Sequence, residues 1–435
     1  MLFRIGNLIK TRIFLDQCNF VSLNCKKCYA DVVTNKAGPL DGIRVLDLSR
    51  IIAGPFCTMI LGDLGAEIIK IETPQIGDES RNWGPPFIKG TKESCYFLAV
   101  NRNKKSVCVD LKSPKGQKVI HDLAAKCDVL VENYVPGKLN EFNLDYDTIK
   151  HVAPKLIYCS ITGYGSEGPY SKRPGYDVIA ASVGGLMHIT GPRGGEPCKV
   201  GVPMTDMATG LYAHGAIVAA LFQRGRTGLG QKIDCDLLST QVSCLINVAA
   251  NNLNVGLEAE RWGTSHSSIV PYESFPTSDG CYITIGAGSN QQFKELCEKL
   301  DLPHLVVDER FCNNEMRVKN RKILIETLRN RFKEKSLEEW CALLQDSSFP
   351  NGPINTISKV MADPHIKHIN LIKEMEHPSG EKIRLVGPPV KFSDCRNEIS
   401  LPPPCLGQHT SEVLKELLDY SDVEIQSLQN CGAIS

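Results

Sequence analysis

The repeat of short apolar strands and helices between residues 43 and 163 constrains this chain most. "IRVLDLS" (43–49) reads as a buried strand, "AGPFCTMILGDLGA" (53–66) as a helix with Pro55 in its first turn, and "EIIKIE" (67–72) as a second strand. The alternation returns in "SVCVDL", the helical "PKGQKVIHDLAAK", "CDVLVEN" and "KLIYCSITG". Strands separated by helices of this length predict an α/β fold, a mostly parallel sheet with helices on both faces.

Farther along, "MATGLYAHGAIVAALFQR" predicts a helix packed through its Ala and Gly positions, although Gly210 and Gly215 lower its propensity. "TGLGQKIDCDLL" gives a turn and a strand that feeds another helix reaching about Asn252. The pattern changes at "YESFPTSDGCYITIGAG" (272–288), a strand, turn and strand with Asp279-Gly280 at the turn. Charged helical stretches follow, a smaller domain of roughly a hundred residues. A strand near residue 380 and a capped helix from about Thr410 bring the tail back to the first domain. The expected division is a leader over 1–37, a large domain over 38–240, a linker helix over 241–260, a small domain over 261–365, and a return to the large domain over 366–435. A length of 435 residues is more than one core usually holds.

Composition narrows the function classes. Lys plus Arg equals Asp plus Glu, 49 each, which gives no electrostatic reason to expect nucleic acid as a partner. No run of eighteen apolar residues predicts membrane insertion. The 18 cysteines are scattered, and several, such as Cys108, Cys127 and Cys159, sit among apolar neighbours as small core residues of a reducing compartment. Cys25-Lys-Lys-Cys28 lacks the second pair that a zinc site needs, so no metal site is expected. The first 36 residues carry six Lys or Arg against two acids in a basic amphipathic pattern. This predicts a mitochondrial (matrix) transit segment, with a cytosolic tail as the alternative.

Candidate chemistry centres on carboxylates. In "PCKVGVPMTDMATGLYAHG", Asp206 stands where a Gly- and Pro-rich loop turns into a helix. Such an aspartate is most often a cap for free backbone N–H groups. The same setting can orient an ionised carboxylate for attack on a carbonyl carbon. Asp177 in "RPGYDVIAASVGG" is the second candidate, either shaping the site or capping. "GGLMHITGPRGGEP" can form an active-site wall or a surface turn, and His188 and His214 stand in no motif that demands a base. For an anionic ligand, "LSRIIAGPFCT" offers backbone N–H groups at a helix start near Ala53, with Arg50 adding charge. It lacks the dinucleotide and Walker glycine patterns. The cations of "NRNKK" (101–105) read as a solvated edge unless they flank a long anionic ligand.

Seven segments in order, "LDGIRVLDLSRIIAGPFCTMILGDLGAEIIKIE", "GDESRNWGPPF", "NRNKKSV", "CDVLVENYVPG", "ITGYGSEGPY", "PGYD" and "RTGLGQKID", resemble the class III CoA-transferase family. The resemblance runs from Leu40 to about residue 395 and is densest before residue 240. It implies CoA transfer between dicarboxylic acids, with CoA thioesters as substrates and no tightly bound cofactor, metal or ATP. Asp206 matches the family nucleophile, and Tyr176 and Asp177 match a tyrosine and an acid beside the reacting carbonyl. Ile51, Ile52 and Ala53 match the first CoA-contacting loop and Asn133 with Tyr134 the adenine and pantetheine surroundings; beside them, Arg50 at the helix start and Arg102 of "NRNKK" are candidate cofactor-binding cations. The implied architecture is a Rossmann-like large domain completed by the C-terminal tail, with a smaller middle domain, in a homodimer of interlocked rings.

Two departures bear on the substrate. Ile52 stands where the formyl-CoA member has glutamine, and "RWGTSHSS" (261–268) replaces its run of glycines, which argues against formate and oxalate chemistry. A racemase on the same scaffold places a histidine before its aspartate, whereas here the tripeptide is Gly175-Tyr176-Asp177, and a phenol with a pKa near 10 is a poor substitute. A non-catalytic acyl-CoA binder would lack the nucleophile. A nicotinamide enzyme would need the absent glycine fingerprint. For the remote carboxylate of a dicarboxylic acid, Arg81, Arg102 and Arg261 are candidate donors.

Overall fold

Six strands form one sheet: β1 (Arg44–Asp47), β2 (Glu67–Glu72), β3 (Lys104–Cys108), β4 (Val129–Glu132), β5 (Ile157–Thr162) and β6 (Lys232–Asp236). Their order is β3-β2-β1-β4-β5-β6, with every neighbouring pair parallel. The computed structural model describes residues 37–435, so the expected leader and the Cys25–Cys28 pair lie outside the described residues. Every residue of β4 and β5 is buried, as a parallel sheet covered on both faces requires. Helices α1 (Ala53–Asp63), α2 (Pro114–Ala124) and α3 (Tyr146–Val152) fall between strands, and α4 (Met204–Thr227) precedes β6. The strand order changes direction between β1 and β4, and in open α/β sheets a ligand crevice lies outside the strand ends at such a switch point.

The chain divides into two units. The first holds the described chain through Tyr176, residues 205–240 and residues 371–435; the second holds residues 177–204 and 241–370. In the first, Val119, Ile120 and Leu123 of α2 share a core with Ile69, Ile71 and Leu130 of the sheet and with Val413, Leu414, Ile425 and Leu428 of the tail. Each buried aliphatic side chain contributes roughly 1.5–3 kcal/mol, so the tail is part of this fold. Backbone bonds fix it: Asp110 N–H donates to Ala433 O (2.9 Å) and Cys108 N–H to Thr410 Oγ1 (3.1 Å). The tail helix begins at Thr410, but it is not side-chain capped. Its N-cap is His409, whose Nδ1 accepts the Ser106 N–H (3.1 Å) instead.

"NRNKK" is not a solvated edge. Arg102 and Lys104 are buried, the first paired with Asp63 (2.6 Å) at the end of α1 and the second with Asp47 (3.0 Å) at the end of β1. Buried charges persist where each has such a partner.

The second unit has its own antiparallel sheet, β7 (Tyr272–Pro276), β8 (Tyr282–Gly286) and β9 (Asn351–Pro353). Phe332 stacks on Phe275 (4.8 Å) and meets Trp340 edge-on (5.0 Å) at its core. Capping boxes at Ser289 and Ser336 start two of its helices. The helix Ile246–Val255, within the expected linker, groups with this unit. Among the described residues no helix is long and apolar enough to cross a membrane, and no three His, Cys, Asp or Glu gather as a metal site.

Candidate active site

The first unit opens a cleft of about 180 Å³ at the C-terminal ends of β1, β4 and β5. Arg50, Ile51, Ile52 and Ala53 line it after β1, Asn133 and Tyr134 after β4, and Thr162 and Gly163 at the end of β5; Arg173, Tyr176 and Asp206 complete it. This is the crevice that the change of strand order creates.

Asp206 is the third residue of α4. The helix starts at Met204, directly after Pro203, so Asp206 is a first-turn residue rather than the residue before the helix. A carboxylate in a first turn still gains from the helix dipole. One turn on, Gly210 explains how α4 can lie so close to α1. A Cβ there would stand 2.8 Å from Ala53 O and 3.0 Å from Phe56 Cδ1.

A second glycine pair sets Tyr176. A Cβ on Gly163 would stand 2.7 Å from Gly175 Cα, and one on Gly175 would stand 2.6 Å from Gly163 Cα. The end of β5 and the loop before Tyr176 thus meet backbone to backbone.

The loop after β1 is pinned to the loop after β4. Arg50 N–H donates to Asn133 Oδ1 (2.9 Å), and Asn133 Nδ2 donates back to Arg50 O (2.7 Å). The Arg50 guanidinium lies over the Tyr134 ring (4.5 Å) and pairs with Glu79 (2.7 Å). Its Nε is buried with no partner among the described residues. Burial raises the pKa of the Tyr134 phenol. Below it, burial pushes Glu132 up to about 7 although the Ser160 hydroxyl and the Tyr134 N–H (2.8 Å) oppose the shift.

Of the residues expected from sequence, Asp206, Tyr176, Arg50, Ile51, Ile52, Ala53, Asn133 and Tyr134 line one cleft. Asp177 opens the helix Asp177–Val183, grouped with the second unit, and is not a lining residue. Arg102 lies elsewhere, its Nε and Nη2 on the two Asp63 oxygens (2.8 and 2.6 Å). Arg81 is likewise committed, to both oxygens of Glu72 (2.7 Å each), and Arg261 donates to Gly195 O and His188 O. His188 and His214 are not lining residues either. The cation that sequence reasoning missed is Arg173, which lines the cleft and lies over the Tyr170 ring (4.0 Å). Its place in "KRPGYD", three residues before Tyr176, was the available signal.

A doubly wound parallel sheet with a carboxylate-bearing cleft at its switch point defines the class: an α/β protein whose ligand site is built from the loops after its strands. The chain matches the model of CoA-transferase family III over residues 40–410 and belongs to that family. It is a class III CoA-transferase. It is 55% identical over 400 residues to a human succinyl-CoA:glutarate CoA-transferase, covering 92% of this chain and 91% of the relative. With the succinate–glutarate CoA-transferase of Agrobacterium fabrum the identity is 39%, over 88% of this chain and 96% of the relative. The crystal structure of a CAIB/BAIF family protein from Brucella suis matches at a TM-score of 0.80 and 41% identity, covering 88% of this chain and all of that one.

Proposed function

We propose that this enzyme transfers CoA between dicarboxylic acids, from succinyl-CoA or a related acyl-CoA to glutarate or hydroxymethylglutarate, with Asp206 as nucleophile. The observation that carries the reading is one cleft shared by Asp206, the Arg50–Ala53 loop and Arg173. A ligand cleft usually measures roughly 300–1,000 Å³. At about 180 Å³ this one suits the acyl end of a thioester rather than the whole of CoA.

In the first step an Asp206 carboxylate oxygen attacks the thioester carbonyl. The C–S bond breaks, leaving a succinyl–aspartyl anhydride and CoA thiolate. The thiolate then attacks the aspartyl carbonyl, forming an aspartyl-CoA thioester and releasing succinate. The acceptor carboxylate attacks that thioester, releasing the thiolate and forming the second anhydride. Attack of the thiolate on the acceptor acyl carbon yields the new CoA ester and restores Asp206. One thioester is exchanged for another, so the steps balance without ATP or a metal. Tyr176, a lining residue of the cleft, is proposed to bear on the reacting carbonyl, and Asp177 to shape the site from the start of the following helix.

The test is intact and peptide mass after mixing with succinyl-CoA and quenching, with Asp206→Ala alongside. The expected result is a CoA adduct on the Asp206 peptide, discharged by glutarate and absent from the variant. CoA exchange by both proteins with no adduct would sink the mechanism.

We also propose a homodimer, supported by the apolar surface that α4 leaves exposed at Leu211, Tyr212 and Phe222 (52%, 55% and 65%). Light scattering should return twice the chain mass. The basic composition of residues 1–37 supports import into the mitochondrial matrix, which a reporter fused to that segment would reveal.

A further inference from the structure

Ile51 lines the cleft with a φ of +72°. A β-branched residue avoids that left-handed region because its Cβ crowds the backbone. Something must therefore hold it there, and the surrounding groups identify what does.

The Ile51 N–H reaches both oxygens of the Asp78 carboxylate (3.1 Å each). Asp78 is itself fixed: Lys70 Nζ donates to its Oδ2 (2.9 Å), and the N–H and hydroxyl of Ser80 donate to its Oδ1 (2.9 and 2.7 Å). Lys70 in turn donates to Ser49 O (2.8 Å), one residue before Arg50. Burial raises the Asp78 pKa, but Lys70 and the Ser80 bonds outweigh it and hold the carboxyl well below the ordinary range. The next residue, Glu79, takes the Arg50 guanidinium. The plainer reading of Asp78 is an N-cap for the short helix Glu79–Asn82. A cap needs one oxygen on Ser80 N–H; it does not need a buried lysine or two oxygens turned to Ile51.

We propose that Asp78, backed by Lys70, is a positioning residue. It holds Ile51 left-handed and so aims the Ile52–Ala53 start of α1 at the acyl-CoA in the cleft. Were φ to relax to a negative value, the peptide planes on either side of Ile51 would rotate, and Ile52 and Ala53 would turn from the ligand. The role rests on the assignment of this cleft to CoA transfer.

The test compares Asp78→Asn alone with Asp78→Asn combined with Ile51→Gly or Ile51→Ala, in steady-state CoA transfer from succinyl-CoA to glutarate. Asp78→Asn should raise KM for succinyl-CoA about tenfold or more, the size expected for losing a charge-assisted hydrogen bond, and change kcat less. Glycine adopts positive φ without penalty and alanine does not. The Gly double variant should therefore recover most of the lost KM, and the Ala double variant none. Equal KM in the two double variants overturns the proposal. If Asp78→Asn does not fold by circular dichroism, the Ile51 variants decide in the Asp78 background. There Ile51→Gly should melt above Ile51→Ala, the reverse of the usual order, and a Gly variant that melts at or below the Ala variant overturns the proposal. Wild-type turnover separates the two readings: its absence refutes CoA transfer, whereas its presence with equal double variants refutes the positioning role alone.

Discussion

Replacing Gly210 with alanine should slow turnover and lower stability, although alanine is the better helix former. Gly210 is buried one turn after Asp206, and the added Cβ would stand 2.8 Å from Ala53 O, 3.0 Å from Phe56 Cδ1 and 3.4 Å from Cys57 N. Carbon contacts settle at roughly 3.5–4.0 Å, so α4 must back away from α1 by something like half an ångström. The helix-propensity gain is about 1 kcal/mol, and the overpacking loss is about 1–3 kcal/mol. The balance is a net loss of up to about 2 kcal/mol, seen as a fall of a few degrees in Tm. Because the retreat separates Asp206 from the Arg50–Ala53 loop, it acts on geometry as well. A misplacement of about 1 Å can cost as much as a hundredfold, so half of that should lower kcat about tenfold.

The control is Gly225→Ala in the same helix, where a Cβ meets nothing within 4 Å. It should melt at or above wild type with wild-type kcat. A Gly210→Ala enzyme that behaves like this control would refute the claim that close approach of α1 and α4 sets the nucleophile.

Arg173→Met should raise KM for a dicarboxylate acceptor by roughly ten- to a hundredfold, the loss of one charge-assisted bond. KM for a monocarboxylate acceptor of equal length should change much less, and equal effects on both acceptors would mean that Arg173 does not hold the remote carboxylate. Glu132 makes stability pH-dependent. Burial raises its folded pKa from 4.5 to about 7, so between these values the folded protein keeps a proton that the unfolded chain releases. Stability should then fall as pH rises through this window and level off above it, by roughly 3 kcal/mol at most. Glu132→Gln keeps an acceptor for the Tyr134 N–H and should lack that fall, so parallel urea midpoints for variant and wild type at pH 5 and pH 8 would contradict it.

What could be read from sequence is what local periodicity encodes. β2 falls on the expected residues 67–72, and α1 and α2 begin where Pro55 and Pro114 place a first turn. Asp206 is legible from its loop-to-helix setting and Arg50 and Ala53 from a helix start open to anions, whereas Asn133, Tyr134 and Tyr176 come only through the family resemblance. What joins the loops after β1 and β4 is the Arg50–Asn133 pair of bonds, 83 residues apart. Pairings across long separations were hidden. Lys104 lies 57 residues from Asp47, and no pattern within "NRNKK" distinguishes a solvated lysine from one buried against a carboxylate. The same blindness made Arg81 and Arg102 look available for a substrate, when each is already paired inside the fold. Ile51 is the sharper case. Left-handed backbone is read from glycine, and an isoleucine gives no such sign, so the turn that shapes the cleft can be seen only with Asp78, 27 residues on, in place. A strained residue and a buried ion pair are each costly alone. Joined through one N–H, the ion pair supplies the force that the strained turn requires, and the turn gives the buried carboxylate an additional donor. Neither feature follows from the propensity of its own segment, and both bear on the loop that faces Asp206.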